Sequence, residues 1–126
     1  MAKQTFTSGQ VLTAAQCNTL NNNAGFNLDT QTQTGTTYTL VAGDVGEYVT
    51  LNNASAITLT VPASVLSAGD TVNLVQFGAG QVTVAAGAGM TVNSQGSKMK
   101  ITGQYGVATL LFTSASVAVL LGNLSA

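Results

Sequence analysis

The stretch Thr71-Val72-Asn73-Leu74-Val75-Gln76-Phe77-Gly78-Ala79-Gly80-Gln81-Val82-Thr83-Val84-Ala85-Ala86-Gly87-Ala88-Gly89-Met90-Thr91-Val92 reads as three strands cut by two glycine turns. Val72, Leu74, Val82 and Val84 alternate with Asn73, Gln81 and Thr83. Period 2 marks strands that bury one face and wet the other. Gly78-Ala79-Gly80 and Ala86-Gly87-Ala88-Gly89 are read as hairpin turns, where glycine supplies the backbone freedom that a tight reversal needs.

Similar signals recur about every ten residues from Thr37 onward. Tyr38–Val41, Tyr48–Leu51 and Ile57–Val61 are strand candidates, the last stopped by Pro62, which has no N–H for a ladder. Lys98–Thr102, Val107–Thr113 and Val117–Leu121 complete the series. Short strands with turn chemistry between them predict an antiparallel β-sandwich or barrel over residues 37–126. In the last two strands Leu110-Leu111-Phe112 and Leu120-Leu121 are apolar on consecutive positions. Strands covered on both faces are expected there, which implies a partner surface.

Residues 1–36 differ from this body and are read as an N-terminal arm. Thr13 and Gln16 fit a capping box, and Leu12 can pack on Cys17 as a hydrophobic staple. A short helix over 13–22 is predicted, with Cys17 and Leu20 on one face. So short a helix is marginal alone and must dock on something. Asp29–Thr36 is polar and repetitive and reads as a linker. Phe6, Leu12, Cys17, Leu20 and Phe26 are therefore the arm's candidate partner contacts.

Only 6% of the 126 residues are charged, net charge is -1 and mean hydropathy is +0.34. A usual soluble domain has about 25% charged residues. So little repulsion favours self-association. No apolar run reaches the roughly 18 residues of a membrane helix, and strands of barrel length with aromatic girdles are missing. Met1–Phe6 has no apolar signal core, which argues against classical secretion. Three lysines and no arginine leave little with which to neutralise nucleic-acid phosphates.

The chain has no histidine and one cysteine, so neither a histidine-based triad nor an ordinary zinc site can be assembled. No cofactor is expected, and the glycine runs lack the Lys-Ser/Thr ending of a phosphate loop. Asp44 and Glu47 flank Val45-Gly46 and read as a polar turn, a sparse calcium site, or acids paired with lysine across subunits. Lys98 and Lys100 stand at i, i+2 on one strand face, either as edge protection or as those partners.

Gly9–Asn22 resembles an N-terminal segment common in phage virion proteins. Tyr38–Val49, Ile57–Pro62 and Gly78–Val84 resemble a β-domain of phage head-decoration and fibre proteins. The resemblance implies a homotrimer with a β-rich body, attached to the virion surface and without catalysis. The short chain, with no fibre shaft, points to a capsid decoration (cement) protein. Such a protein is made in the host cytoplasm and clamps the major capsid protein. The alternative is a tail-fibre or head-fibre domain that binds a host receptor or glycan. Sugar sites need exposed rings near polar groups, and most of Phe6, Phe26, Tyr38, Tyr48, Phe77, Tyr105 and Phe112 read as core.

Overall fold

The computed structural model describes residues 8, 9, 11, 13–15 and 30–126. The described chain is built from strands: β1 (Thr30–Gln33), β2 (Thr37–Thr39), β3 (Tyr48–Leu51), β4 (Ile57–Val61), β5 (Thr71–Gln76), β6 (Val82–Ala86), β7 (Thr91–Ser94), β8 (Lys100–Ile101), β9 (Val107–Ser114), β10 (Val117–Gly122) and β11 (Leu124–Ser125). Two 3-10 turns, Ala42–Asp44 and Gln95–Ser97, interrupt them. One sheet has the order β1-β3-β5-β9-β10-β7, the other β11-β8-β6-β4-β2.

Consecutive strands of the first half do not pair with each other. β1, β3 and β5 stack in the first sheet, and β2, β4 and β6 in the second, every contact between them parallel. The chain thus winds in solenoid-like coils, each laying one strand in each sheet. This corrects the antiparallel sandwich or barrel expected from the strand spacing. Parallel neighbours need a long return connection, and the strand in the opposite sheet supplies it. A coil and a hairpin show the same inside-outside alternation, so the period alone does not separate them.

Both sheets feed one core. Val49, Leu51, Val72, Leu74, Leu110, Phe112 and Leu120 enter it from the first sheet, Ile57, Leu59, Val61, Val82, Val84 and Ile101 from the second. The second half closes the coils with antiparallel pairs. β9 and β10 form a hairpin inserted between β5 and β7. β8 and β11 extend the second sheet beyond β6.

The coil spacing is regular where it matters. Tyr48 pairs with Asn73 and Ile57 with Val82, an offset of 25 residues in both sheets. The link 52–56 therefore lies directly under the link 77–81. Phe77 and Gly78 N–H donate to the Leu51 carbonyl at 2.8 and 3.2 Å, and Gly80 N–H to the Asn53 carbonyl at 2.8 Å. The same offset sets Gly78 on Asn53 and Gly80 on Ser55. A Cβ on Gly80 would overlap the Ser55 carbonyl, and one on Gly78 the Asn53 backbone. These two glycines serve close backbone approach, not the hairpin reversal read from the sequence. Gly89 does serve a turn, with φ +76° and a bond from Met90 N–H to the Gly87 carbonyl at 3.1 Å.

The link is also fastened from below and within. Asn53 Nδ2 donates to the Thr34 carbonyl of the first coil at 2.8 Å. Gln76 is fully buried beside the core, a polar residue on an inward position. Its Nε2 donates to the Gly78 carbonyl and its Oε1 accepts from Val82 N–H, at 3.2 and 3.1 Å. Both ends of its amide are satisfied, which is the condition for burying one.

The stretch expected as a polar linker contains β1. Its residues Thr30–Gln33 pair with all of β3. An edge strand of threonine and glutamine can form because backbone bonds and β-branched side chains, not apolar burial, hold it. The boundary expected between 36 and 37 thus falls inside the first coil. Of the helix expected over 13–22, Thr13, Ala14 and Ala15 are described, the last two with helical backbone. The rest of that helix lies outside the described residues, and no α-helix is an element among those that are.

Gly80→Ala should destabilise the protein by about 3 kcal/mol or more, because a backbone carbonyl must move to admit the methyl group. Ala79→Ser, at an exposed position of the same link, should change stability by less than about 0.5 kcal/mol. Urea unfolding of the two variants measures the contrast.

Candidate interaction surface

The outer face of the six-stranded sheet is built by strand parity. Inward Val72, Leu74 and Gln76 leave Thr71, Asn73 and Val75 outward; inward Ala108, Leu110 and Phe112 leave Val107, Thr109 and Leu111. The registers align these side chains in rows: Thr30–Tyr48–Asn73–Thr109–Leu121, Thr32–Thr50–Val75–Val107, and Thr71–Leu111–Val119–Asn93. None of the six strands carries a charged residue.

The face divides along its width. On β1 and β3 it is hydroxyl-rich, with Thr30, Thr32 and Thr50. Thr50 Oγ1 donates to Thr32 Oγ1 at 3.0 Å. On β9 and β10 it is mainly apolar, with Val107, Leu111 and Leu121 exposed by 38%, 39% and 46% and Thr109 and Thr113 set among them. Val75 on β5 lies between the two halves and Val119 on β10 within the apolar one, both half-buried. The double-sided cover expected for Leu110–Phe112 and Leu120–Leu121 is therefore one-sided within the chain. Leu110, Phe112 and Leu120 are in the core, and Leu111 and Leu121 face outward.

Lys98 is exposed and Lys100 half-buried. Lys98 follows the second 3-10 turn and does not belong to a strand, so the expected i, i+2 strand face is not formed. With Gln95, Gly96, Val119, Leu121 and Leu124, Lys98 lines a groove of about 490 Å³ at the end of β10. Its cation thus rims the apolar half of the face. Phe6, Leu12, Cys17, Leu20 and Phe26 lie outside the described residues.

Asp44 is not the solvent-facing acid of a polar turn. It is fully buried. Its Oδ2 accepts from the Tyr38 hydroxyl at 2.7 Å and from Val41 N–H at 2.9 Å. The carboxylate thereby ties β2 to the turn that leads into β3. Its Oδ1 is buried with no hydrogen-bond partner, a cost of about 1–3 kcal/mol that this fastening must exceed. No group of three His, Cys, Asp or Glu able to hold a metal occurs among the described residues. Burial first, then the hydrogen bond and charge of Asp44, push the Tyr38 phenol well above its ordinary value.

The aromatic residues depart most from the sequence reading. Phe112 is in the core, whereas Tyr48, Phe77 and Tyr105 are exposed by 38%, 48% and 67%. Phe77 and Tyr105 meet edge to face, ring centroids 5.8 Å apart and planes at 84°. The parity signal was present: Phe77 continues the outward series Thr71, Asn73, Val75. Tyr105 carries no such signal, since it sits in a loop between Gly103 and Gly106.

No match emerges when the chain is compared with protein-family models, with curated proteins or with solved structures. No helix among the described residues is long and apolar enough to cross a membrane.

Tyr38→Phe should cost about 1–2 kcal/mol at neutral pH by deleting the hydroxyl donor to Asp44. The folded protein holds the Tyr38 proton more tightly than the unfolded chain does. That stabilisation is complete below about pH 10, the ordinary tyrosine value, and is lost as pH rises beyond it. Unfolding free energies measured from pH 7 to 11 should therefore fall less steeply at the alkaline end in Tyr38→Phe than in the parent.

Proposed function

We propose that the protein is a non-enzymatic structural protein of a phage virion, a homotrimeric decoration protein seated on the outside of the capsid. The observation that carries the reading is the outer sheet face, uncharged on its six strands and mainly apolar over β9 and β10. Several large apolar side chains exposed on one sheet face mark a candidate contact site. With no charged residue on its six strands and only the Lys98 cation at its rim, little there opposes the approach of an identical copy. In a closed ring three such faces turn toward a common axis, which covers them without open-ended growth. The N-terminal segment, with Phe6, Leu12, Leu20 and Phe26, is assigned to the major capsid protein. Capsid attachment and trimer number rest on the resemblance of Tyr38–Val49, Ile57–Pro62 and Gly78–Val84 to virion β-domains.

Sedimentation equilibrium should give the mass of three chains. Leu111→Lys, at an outward position, should lower that mass to one chain while circular dichroism still reports the folded β-structure, the urea midpoint falling only by the lost association. A monomeric parent at tens of micromolar would remove the oligomer reading. Electron microscopy of particles with and without the protein should place its density on the capsid exterior. Density confined to the tail would instead favour the fibre alternative.

A further inference from the structure

We propose that the hydroxyl-rich half of the outer face binds a short segment of a neutral carbohydrate, with Phe77 as its stacking platform. The groove is lined by Thr30, Thr32, Thr50, Asn52 and Phe77 and holds about 310 Å³. That volume falls in the range of small-molecule sites. Among the described residues its lining combines three hydroxyls, one carboxamide and one ring, and no charged side chain. A sugar presents an apolar C–H face and a rim of hydroxyls that both donate and accept. Its C–H face matches the ring, and its rim matches groups that can also do both. With no cation among the described lining residues, sialic and uronic acids are disfavoured, because their carboxylates would lose water without gaining a partner.

Thr50 is buried and forms the floor of the groove, its hydroxyl shared between the Gln31 carbonyl and Thr32 Oγ1 at 3.3 and 3.0 Å; the other polar groups are free to engage. The side chains of Thr30 and Asn52 make no hydrogen bond among the described residues. Thr32 Oγ1 accepts from Thr50, so its own hydrogen remains to donate. The platform is also pre-set. Tyr105 buttresses Phe77 edge-on and has φ +65°, a costly conformation for a bulky residue. It is held there by Tyr105 N–H donating to the Gln76 carbonyl at 2.6 Å and by Gln104 Nε2 donating to the Phe77 carbonyl at 3.1 Å. Ordinary solvation of an edge strand accounts for the threonines. It does not account for two rings held in water by a strained, doubly fastened loop. This site is separate from the apolar half of the face and does not rest on the trimer reading.

The full chain is screened on an array of neutral and anionic oligosaccharides, and neutral hits are titrated by 1H–15N NMR. The expected result is binding of at least one neutral glycan, with shifts centred on Thr32, Thr50, Asn52 and Phe77. Phe77→Ala should weaken it by about tenfold or more, with sedimentation mass unchanged, and Phe77→Tyr should retain it. Should Phe77→Ala fold poorly, exposed Asn52→Ala provides the second variant and should weaken binding severalfold. No neutral binding at millimolar glycan, binding of anionic glycans alone, or neutral binding indifferent to both substitutions would overturn the proposal. Because the mass readout is independent, a monomer that binds sugar rejects the trimer alone, and a trimer that binds none rejects the site alone.

Discussion

The stacking of link 77–81 on link 52–56 is the constraint on which the rest depends. Two strands in opposite sheets, β5 and β6, keep a common offset from β3 and β4. That is possible only if the connection between them is as long as the one beneath it and lies flat upon it. Side chains at 78 and 80 would lift the upper link off the lower. Without that contact the backbone groups of both links would lose their partners, and the two sheets would no longer share a register. The buried Gln76 amide finishes the same corner, since it replaces the backbone partners that Gly78 and Val82 lack there.

Parallel coils leave a problem at the end of the stack, because the last strand exposes its ladder. The chain solves it by changing sense. The β9–β10 hairpin covers β5, and β7 is paired at the far side of the hairpin. This widens one sheet to six strands and creates an outer face larger than the coils alone would have. The inner side of the hairpin completes the core with Leu110, Phe112 and Leu120. Its outer side contributes Val107, Leu111 and Leu121. One element thus supplies both the closure of the core and the apolar surface assigned to assembly.

Strand positions were legible in the sequence and strand partners were not. Tyr48–Leu51 and Ile57–Val61 stand where the alternation put them, and Pro62 ends β4 as its missing N–H requires. Alternation reports which side of a strand is wet, but it is silent on whether the next strand returns beside it or crosses to another sheet. The offset of 25 between Asn53-Ala54-Ser55 and Gly78-Ala79-Gly80 carried that information, as small residues above a tight link. β1 was hidden because Thr30–Gln33 buries little and is held by its backbone. Asp44 was misread because a carboxylate next to glycines usually faces water, and its partner Tyr38 lies on a separate strand. Of the surface, the outward parity of Leu111, Leu121 and Phe77 could be read in advance. The loop conformation that brings Tyr105 to Phe77 could not.

Hydrogen exchange of individual amides in the native protein tests the coil account most directly. If the links stack, the amides of Ile57, Phe77 and Gly80, which donate to the neighbouring coil, should be protected to the same degree as the strand amides of β3–β6. They should then exchange with that stack as one cooperative unit. Link amides that exchange orders of magnitude faster than the strands, as exposed hairpin turns would, contradict it.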